Sequence, residues 1–198
     1  MIGLRWASIA DGQPLSSLIF SSAPVLLPYL FKGRAQALDY IFKASQRSDG
    51  QYSAARHQIA CEGSNVLGSI TLWDNNLPQS FHSHTLQSLS DFLGPNQIAH
   101  LVITNERIKK VFLAPLDHQL CVGHLAVIEK YRGMGVGKKL IAHAIVQAKL
   151  RDKTQLILDV DSNNDDAVSF YLGLGFMLIK SNEFIYTKQT FYRMQYNL

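Results

Sequence analysis

Tyr131-Arg132-Gly133-Met134-Gly135-Val136-Gly137-Lys138-Lys139 decides the fold of this 198-residue chain. Before it, Gln119 to Val127 has the apolar density of a buried strand. After it, Leu140, Ile141, Ala144, Ile145 and Ala148 recur at helical spacing. A strand, a glycine turn and a helix in this order present backbone N–H groups that lack helical partners, and the helix dipole adds positive potential. Glycine removes the Cβ that would hold an anion off the backbone. Arg132, Lys138 and Lys139 add charge, so the pattern predicts a diphosphate ligand. Two familiar phosphate motifs do not fit. A P-loop needs glycine where Arg132 stands and Ser or Thr where Lys139 stands. A dinucleotide fingerprint needs Gly-x-Gly-x-x-Gly, whereas Gly133, Gly135 and Gly137 are evenly spaced.

Outward from the turn, Ile2 to Ile9 reads as a strand. Asp11-Gly12 turns the chain, and a helix starts around Pro14. A second helix fits Ala35 to Ser45, with Ala35, Leu38, Ile41 and Phe42 at three- and four-residue steps. His57 to Cys61 and Val66 to Trp73 read as strands joined by the hairpin signature Glu62-Gly63-Ser64-Asn65. From Asp74 to Asp117 strand character disappears. His84 to Phe92 and Gln97 to Phe112 predict helices split by Gly94-Pro95. Beyond the turn, Leu156 to Val160 is a short strand. Asn163-Asn164-Asp165-Asp166 starts a helix with acids in its first turn. Ala167, Phe170, Tyr171 and Leu174 form its inward stripe, and Gly175 ends it. Tyr192, Met194, Tyr196 and Leu198 share one face of a final strand.

Arg132, Gly135 and Gly137 fit Arg/Gln-x-x-Gly-x-Gly/Ala. Asn164, Ala167, Phe170, Tyr171, Gly175 and Phe176 fit Asn-x-x-Ala-x-x-aromatic-Tyr-x-x-x-Gly-Phe. In these two motifs, and over about Gln119 to Phe176, the chain resembles the GNAT superfamily of acetyl-CoA-dependent N-acetyltransferases. The resemblance implies an α/β fold with a mixed, splayed central sheet flanked by helices. Residues 74–117 then form a helical excursion between the third and fourth strands, and 1–198 a single domain. It implies acetyl-CoA as cosubstrate. Leu125, Ala126 and Val127 would pair with pantetheine like an added strand. Arg132, Gly133, Met134, Gly135, Val136, Gly137 and Lys138 would hold the pyrophosphate, while Asn164, Ala167 and Tyr171 would complete the cofactor side.

The implied activity is N-acyl transfer to a primary amine by direct attack in a ternary complex, the transferred group being other than amino-acyl. The alternative is a non-catalytic acyl-CoA-binding or regulatory module of the same fold. The family tyrosine falls on Tyr171, the expected acid, and the oxyanion donor on the backbone N–H of Val127. The positions where relatives carry a side-chain base hold Gly123 and Cys121. His124 lies one residue off, and strand alternation aims it at the opposite face unless a bulge reverses it. It is the candidate base, beside the reading of a structural histidine; Cys121 as a nucleophile stands against a buried thiol. The excursion, which enters beside the catalytic strand, is expected to form the acceptor wall. Its removal from His82 to Lys110 would then abolish acceptor turnover and spare CoA affinity.

Composition bounds the partners. Lys and Arg number 19 against 15 Asp and Glu, a net +4 that fits an anionic ligand better than nucleic acid. Lys130, Arg132, Lys138, Lys139, Lys149, Arg151 and Lys153 lie on the turn and helix assigned to CoA. No stretch approaches the roughly 18 apolar residues of a membrane span, and the opening residues lack the pattern of a signal peptide, so secretion is not expected. Two cysteines make neither a disulfide framework nor a zinc site, and His82-x-His84 lacks further ligands, so no metal is expected. A cytoplasmic protein acting on a small-molecule or peptide amine follows, with a homodimer admitted as its assembly.

Overall fold

Gly63 takes a φ of 58° between β2 (His57–Glu62) and β3 (Asn65–Trp73), closing the predicted hairpin. The computed structural model describes all 198 residues. The first strand, β1 (Gly3–Trp6), pairs antiparallel with β2. Helices α1 (Gly12–Ser22), α2 (Leu26–Phe31) and α3 (Arg34–Ser45) separate the two strands. Helices α4 (Gln79–Phe92) and α5 (Pro95–Ile108) fill the excursion. Then come β4 (Gln119–Val127), α6 (Val136–Leu150), β5 (Gln155–Asp161), α7 (Asp165–Gly173), β6 (Met177–Phe184) and β7 (Gln189–Asn197). The strand order is β1-β2-β3-β4-β5-β7-β6. The β4–β5 pair is parallel, while β1–β2, β2–β3, β5–β7 and β6–β7 are antiparallel. This is the expected mixed sheet, with two helices between its third and fourth strands.

The chain condenses into two compact units. The first comprises Met1–Thr71, Leu77–Thr104 and His124–Leu140. Its core joins Leu15, Ile19 and Phe20 of α1 to Phe31, Tyr40, Ile41, Tyr52 and Ile59, with Leu89, Phe92 and Leu101 of the excursion packed against it. The buried face of α3 is Ala37, Tyr40, Ile41 and Ala44. Ala35 and Phe42, expected on that face from their spacing, are exposed. Aromatic packing sets the rotation: the Phe31 and Tyr40 rings lie 4.7 Å apart, and Tyr52 stands edge-on to both.

The second unit comprises Leu72–Asn76, Asn105–Gly123 and Ile141–Leu198. Leu120, Leu156, Ile157, Phe176, Phe184 and Met194 are among its buried side chains. Asp159 and Arg193 sit opposite each other on β5 and β7 and form a buried bidentate pair at 3.0 and 2.8 Å. Arg193 also donates to the Leu113 carbonyl, and Asn182 to that of Val111 at 3.1 Å, which anchors the end of the excursion.

Several elements differ from the sequence reading: α2 was not expected, β1 ends at Trp6 rather than Ile9, and α4 starts at Gln79 rather than His84. Strand β6 was not expected, because Met177-Leu178-Ile179 is a continuous apolar run without alternation. It lies at the sheet edge, with all three residues about half exposed and a register shift between Leu178 and Lys180. Helix α5 starts at Pro95, the first-turn position proline favours, and ends at Ile108 rather than Phe112. No helix is long and apolar enough to cross a membrane.

Candidate active site

The ladder between β4 and β5 covers only Gln119↔Gln155 to Cys121↔Ile157. Strand β4 runs on to Val127 without a partner on that edge. On its other edge, the Ile128 N–H donates to the Leu67 carbonyl at 2.9 Å. Successive peptide groups of a strand face opposite edges, so the Val127 N–H points away from β3. The close approach of β3 and β4 depends on Gly68. A Cβ there would stand 2.7 Å from the Ala126 carbonyl oxygen and 3.2 Å from Val136.

The turn after β4 begins with a single 3-10 turn over Glu129–Tyr131. Gly133 and Gly135 then take φ of 75° and 81°, and open space lies where their Cβ atoms would be. Tyr131 and Arg132 donate to Ile128 and Glu129, and Lys139 is the first residue of α6 to donate, to Gly135. The six N–H groups of Gly133 to Lys138 therefore have no acceptor in the chain. They form an N-terminal donor cluster of the kind that binds phosphates.

The basic residues divide. Arg132 and Lys138 are exposed at the turn. Arg132 donates to the Val127 carbonyl at 3.4 Å, and Lys130 lies over the Tyr131 ring. Lys139 instead donates to the Ile2 carbonyl and anchors the N-terminus. Arg151 and Lys153 face Asp74, and Lys153 also holds the Asp117 carbonyl. Of the seven basic residues assigned to CoA, Lys139, Arg151 and Lys153 are therefore held by the chain itself.

His124 takes a φ of 43°, a left-handed break inside β4. The break interrupts strand alternation at this position. The His124 ring meets His57, with Nδ1 of His124 and Nε2 of His57 2.9 Å apart and the rings within 7° of parallel. Nδ1 of His57 lies 2.8 Å from the Ser53 carbonyl. Tyr52 lies parallel to His124 at 5.5 Å between centroids. Burial pushes His124 down to about 3, with His57 adding to it, and pushes His57 down to about 4. Both rings are neutral near neutral pH. His57 was not singled out from the sequence. It opens an ordinary apolar strand, and its partner is 67 residues away.

In the second unit, Tyr171 is 7% exposed on α7, with its ring edge-on to Phe170 and Phe176. Burial pushes its hydroxyl pKa up, so it stays a hydrogen-bond donor at physiological pH. Oδ1 of Asn164 accepts from the Ala167 N–H at 3.1 Å and caps α7. That leaves the Asn164 amide nitrogen for other partners. Cys121 is buried, and burial pushes its thiol pKa up. These surroundings favour a neutral thiol packed in the core. No group of three or more His, Cys, Asp or Glu is arranged to hold a metal ion.

The acetyltransferase (GNAT) family model matches residues 27–176, which run through both units. Among curated proteins, N-alpha-acetyltransferase 30 of Schizosaccharomyces pombe is 34% identical over 59 residues, 30% of this chain and 39% of that protein. The chain thus spans well under half the length of that relative. Among solved structures, an N-acetyltransferase from Staphylococcus aureus Mu50 aligns over 98% of this chain and 100% of its own, at TM-score 0.71 and 18% identity. PaiA N-acetyltransferase of Thermoplasma acidophilum in complex with coenzyme A aligns over 100% and 99%, at 0.58 and 14%.

Proposed function

The chain belongs to the acetyltransferase (GNAT) family, and on that premise we propose that it transfers an acetyl group from acetyl-CoA to a primary amine by direct attack. The observation that carries this reading is the run of six unpaired N–H groups from Gly133 to Lys138. Arg132 and Lys138 stand beside it, and a CoA pyrophosphate fits that donor set. The unpartnered edge of β4 at Leu125, Ala126 and Val127 suits the amide-bearing pantetheine arm. The complex of the Thermoplasma relative with coenzyme A supports the same ligand class.

Acetyl-CoA supplies the acetyl group as a thioester, whose carbon takes the amine lone pair as the C–S bond breaks. The Val127 N–H is assigned to the carbonyl oxygen, where negative charge develops during attack. Tyr171 is assigned to the departing sulfur. A phenol near ~10 or above is a weaker acid than a thiol near ~8.5, so a hydrogen bond to the leaving thiolate is its main contribution. The products are the amide and free CoA, and the amine proton balances the thiol.

His124 sharpens the choice of acceptor. A ring titrating at about 3 does not strip an ammonium ion. The amine has to arrive neutral, and the ring accepts a hydrogen bond from its N–H. An α-amine near ~8 is about 10% neutral at pH 7, and a lysine side chain below about 0.1%. The acceptor class is therefore an α-amine of an amino acid or peptide, or another amine of similar pKa. The name of the Schizosaccharomyces relative supports an α-amine.

The test is a screen of amines with acetyl-CoA, read by free thiol, together with calorimetric titration of CoA. Gly135→Val puts a β-branched residue at φ 81° and is expected to weaken CoA binding about tenfold or more. Tyr171→Phe is expected to lower kcat about a hundredfold with CoA affinity preserved. CoA binding without any thiol release would favour the non-catalytic module. Full activity of Tyr171→Phe would remove that residue from its role.

A further inference from the structure

We propose that His57 is a positioning residue that holds His124 in the tautomer with its proton on Nδ1, so that Nε2 of His124 offers a lone pair to the N–H of the acceptor amine. The assignment rests on the acetyl-transfer reading for the identity of the amine, but the tautomer follows from the hydrogen-bond geometry and from the burial that keeps His57 neutral. The Ser53 carbonyl can only accept. Nδ1 of His57, 2.8 Å away, therefore carries a proton. His57 is fully buried and neutral, so its Nε2 is left as an acceptor. That atom lies 2.9 Å from Nδ1 of His124, which must donate to it. In a neutral His124 the proton on Nδ1 leaves Nε2 unprotonated. Three groups in series thus define the chemistry of one atom: a turn carbonyl, a strand histidine and the histidine at the break in β4.

The surroundings hold the chain of bonds in place. His57 and His124 are within 7° of parallel, the geometry of an in-plane hydrogen bond between rings. Tyr52 lies parallel to His124 within 13°. Ser69 donates to the His124 carbonyl at 3.3 Å and Thr71 to the Arg56 carbonyl at 2.7 Å, which tie both histidine backbones to β3. The Tyr52 ring and the Ser53 carbonyl contact the pair, and the Ser69 hydroxyl binds the His124 backbone. None of them carries a charge, and the nearest cation in sequence, Arg56, is bound by Asp49 at 2.6 Å. The chain is not a proton wire. A proton passed from His124 to His57 would have no onward acceptor, because the far nitrogen of His57 already donates to a carbonyl. Its function is orientation: a fixed lone pair selects an amine that has an N–H to give and a free pair to attack with.

Long-range proton–nitrogen NMR of the imidazoles in the free protein tests the claim without any activity. The expected result is a His124 with protonated Nδ1 and unprotonated Nε2, and His57 in the same tautomer. A His124 protonated on Nε2 in the wild type overturns the proposal. His57→Leu keeps the volume and removes the acceptor, and His57→Gln returns an oxygen to the place of Nε2. His57→Leu is expected to shift His124 toward the Nε2-protonated tautomer and to lower kcat about tenfold, with KM for acetyl-CoA unchanged. His57→Gln is expected to restore most of both. A His57→Leu protein with the wild-type His124 tautomer and wild-type kcat overturns the proposal. If no amine is acetylated by the wild type, the transferase reading has failed, while the NMR result still decides the role of His57.

Discussion

His57, fully buried, and His124, partly buried, are two bases that the fold keeps neutral. In the unfolded chain both titrate near ~6.5, and in the folded protein at about 4 and about 3. Between these values the unfolded chain binds more protons, so stability falls as pH drops below about 6.5. Each histidine contributes a slope of up to about 1.4 kcal/mol per pH unit across that window. Asp11, held at about 2 by Arg5, acts in a lower window, because its contribution is lost as pH falls from its ordinary value near 3.8 toward 2. Chemical denaturation at stepped pH is expected to show a plateau above about pH 7 and a decline beneath about 6.5. The paired substitution His57→Gln with His124→Gln flattens that decline. A wild-type profile flat to about pH 5 would contradict the burial of the pair. At this scale the sequence was legible where a residue's meaning is local. Gly133 and Gly135 could be placed because a turn between strand and helix states its own requirements. His57 could not, since its role depends on a carbonyl four residues before it and a ring 67 residues after it. Lys139 read as an anion ligand because charge is visible in sequence, while its bond to Ile2 is not.

Elements fail at the contacts that position them. A Cβ at position 68 would lie 2.7 Å from the Ala126 carbonyl, and backbone cannot yield as a flexible side chain does. Gly68→Ala is therefore expected to cost about 1–3 kcal/mol and to lower activity by shifting β4, both measurable on one preparation. Unchanged stability would show that the strands are not closely apposed there. Across β5 and β7, Asp159 and Arg193 form a buried pair that also carries the Leu113 carbonyl. Arg193→Met leaves a buried carboxylate alone and is expected to cost about 3–5 kcal/mol. Joint replacement of both by apolar residues should recover much of that loss in the same denaturation assay. Strands and helices with strong periodicity were readable, from the β2–β3 hairpin to the stripe of α6. The apolar edge strand β6 was not, because half-exposed Met177, Leu178 and Ile179 imitate a buried run.

Across the whole chain, the excursion is divided between the two units. Helix α4 is tied into the first by Arg47–Asp91 at 2.7 Å and by the bond from the Gln51 N–H to Thr85. The end of the excursion is tied into the second through Asn182 and Arg193. Removing His82 to Lys110 would strip Leu89, Phe92, Leu93 and Leu101 from the core of the first unit. Loss of cooperative unfolding is the expected result, instead of the selective loss of acceptor turnover that the sequence alone predicted. The net +4 charge is likewise not one patch. Arg132 and Lys138 remain at the turn, while Lys139, Arg151 and Lys153 hold structure.

The proposed reaction is acetyl transfer to an amine that reaches the site uncharged. It is tested most directly with a peptide bearing one free α-amine and one lysine, incubated with the protein and acetyl-CoA. Fragmentation mass spectrometry then maps where the acetyl group lands. The α-amine is expected to be modified over the lysine side chain by about a hundredfold or more at pH 7, the ratio of their neutral fractions. Acetylation of the lysine with the α-amine untouched would contradict it, as would the absence of any acetylated product.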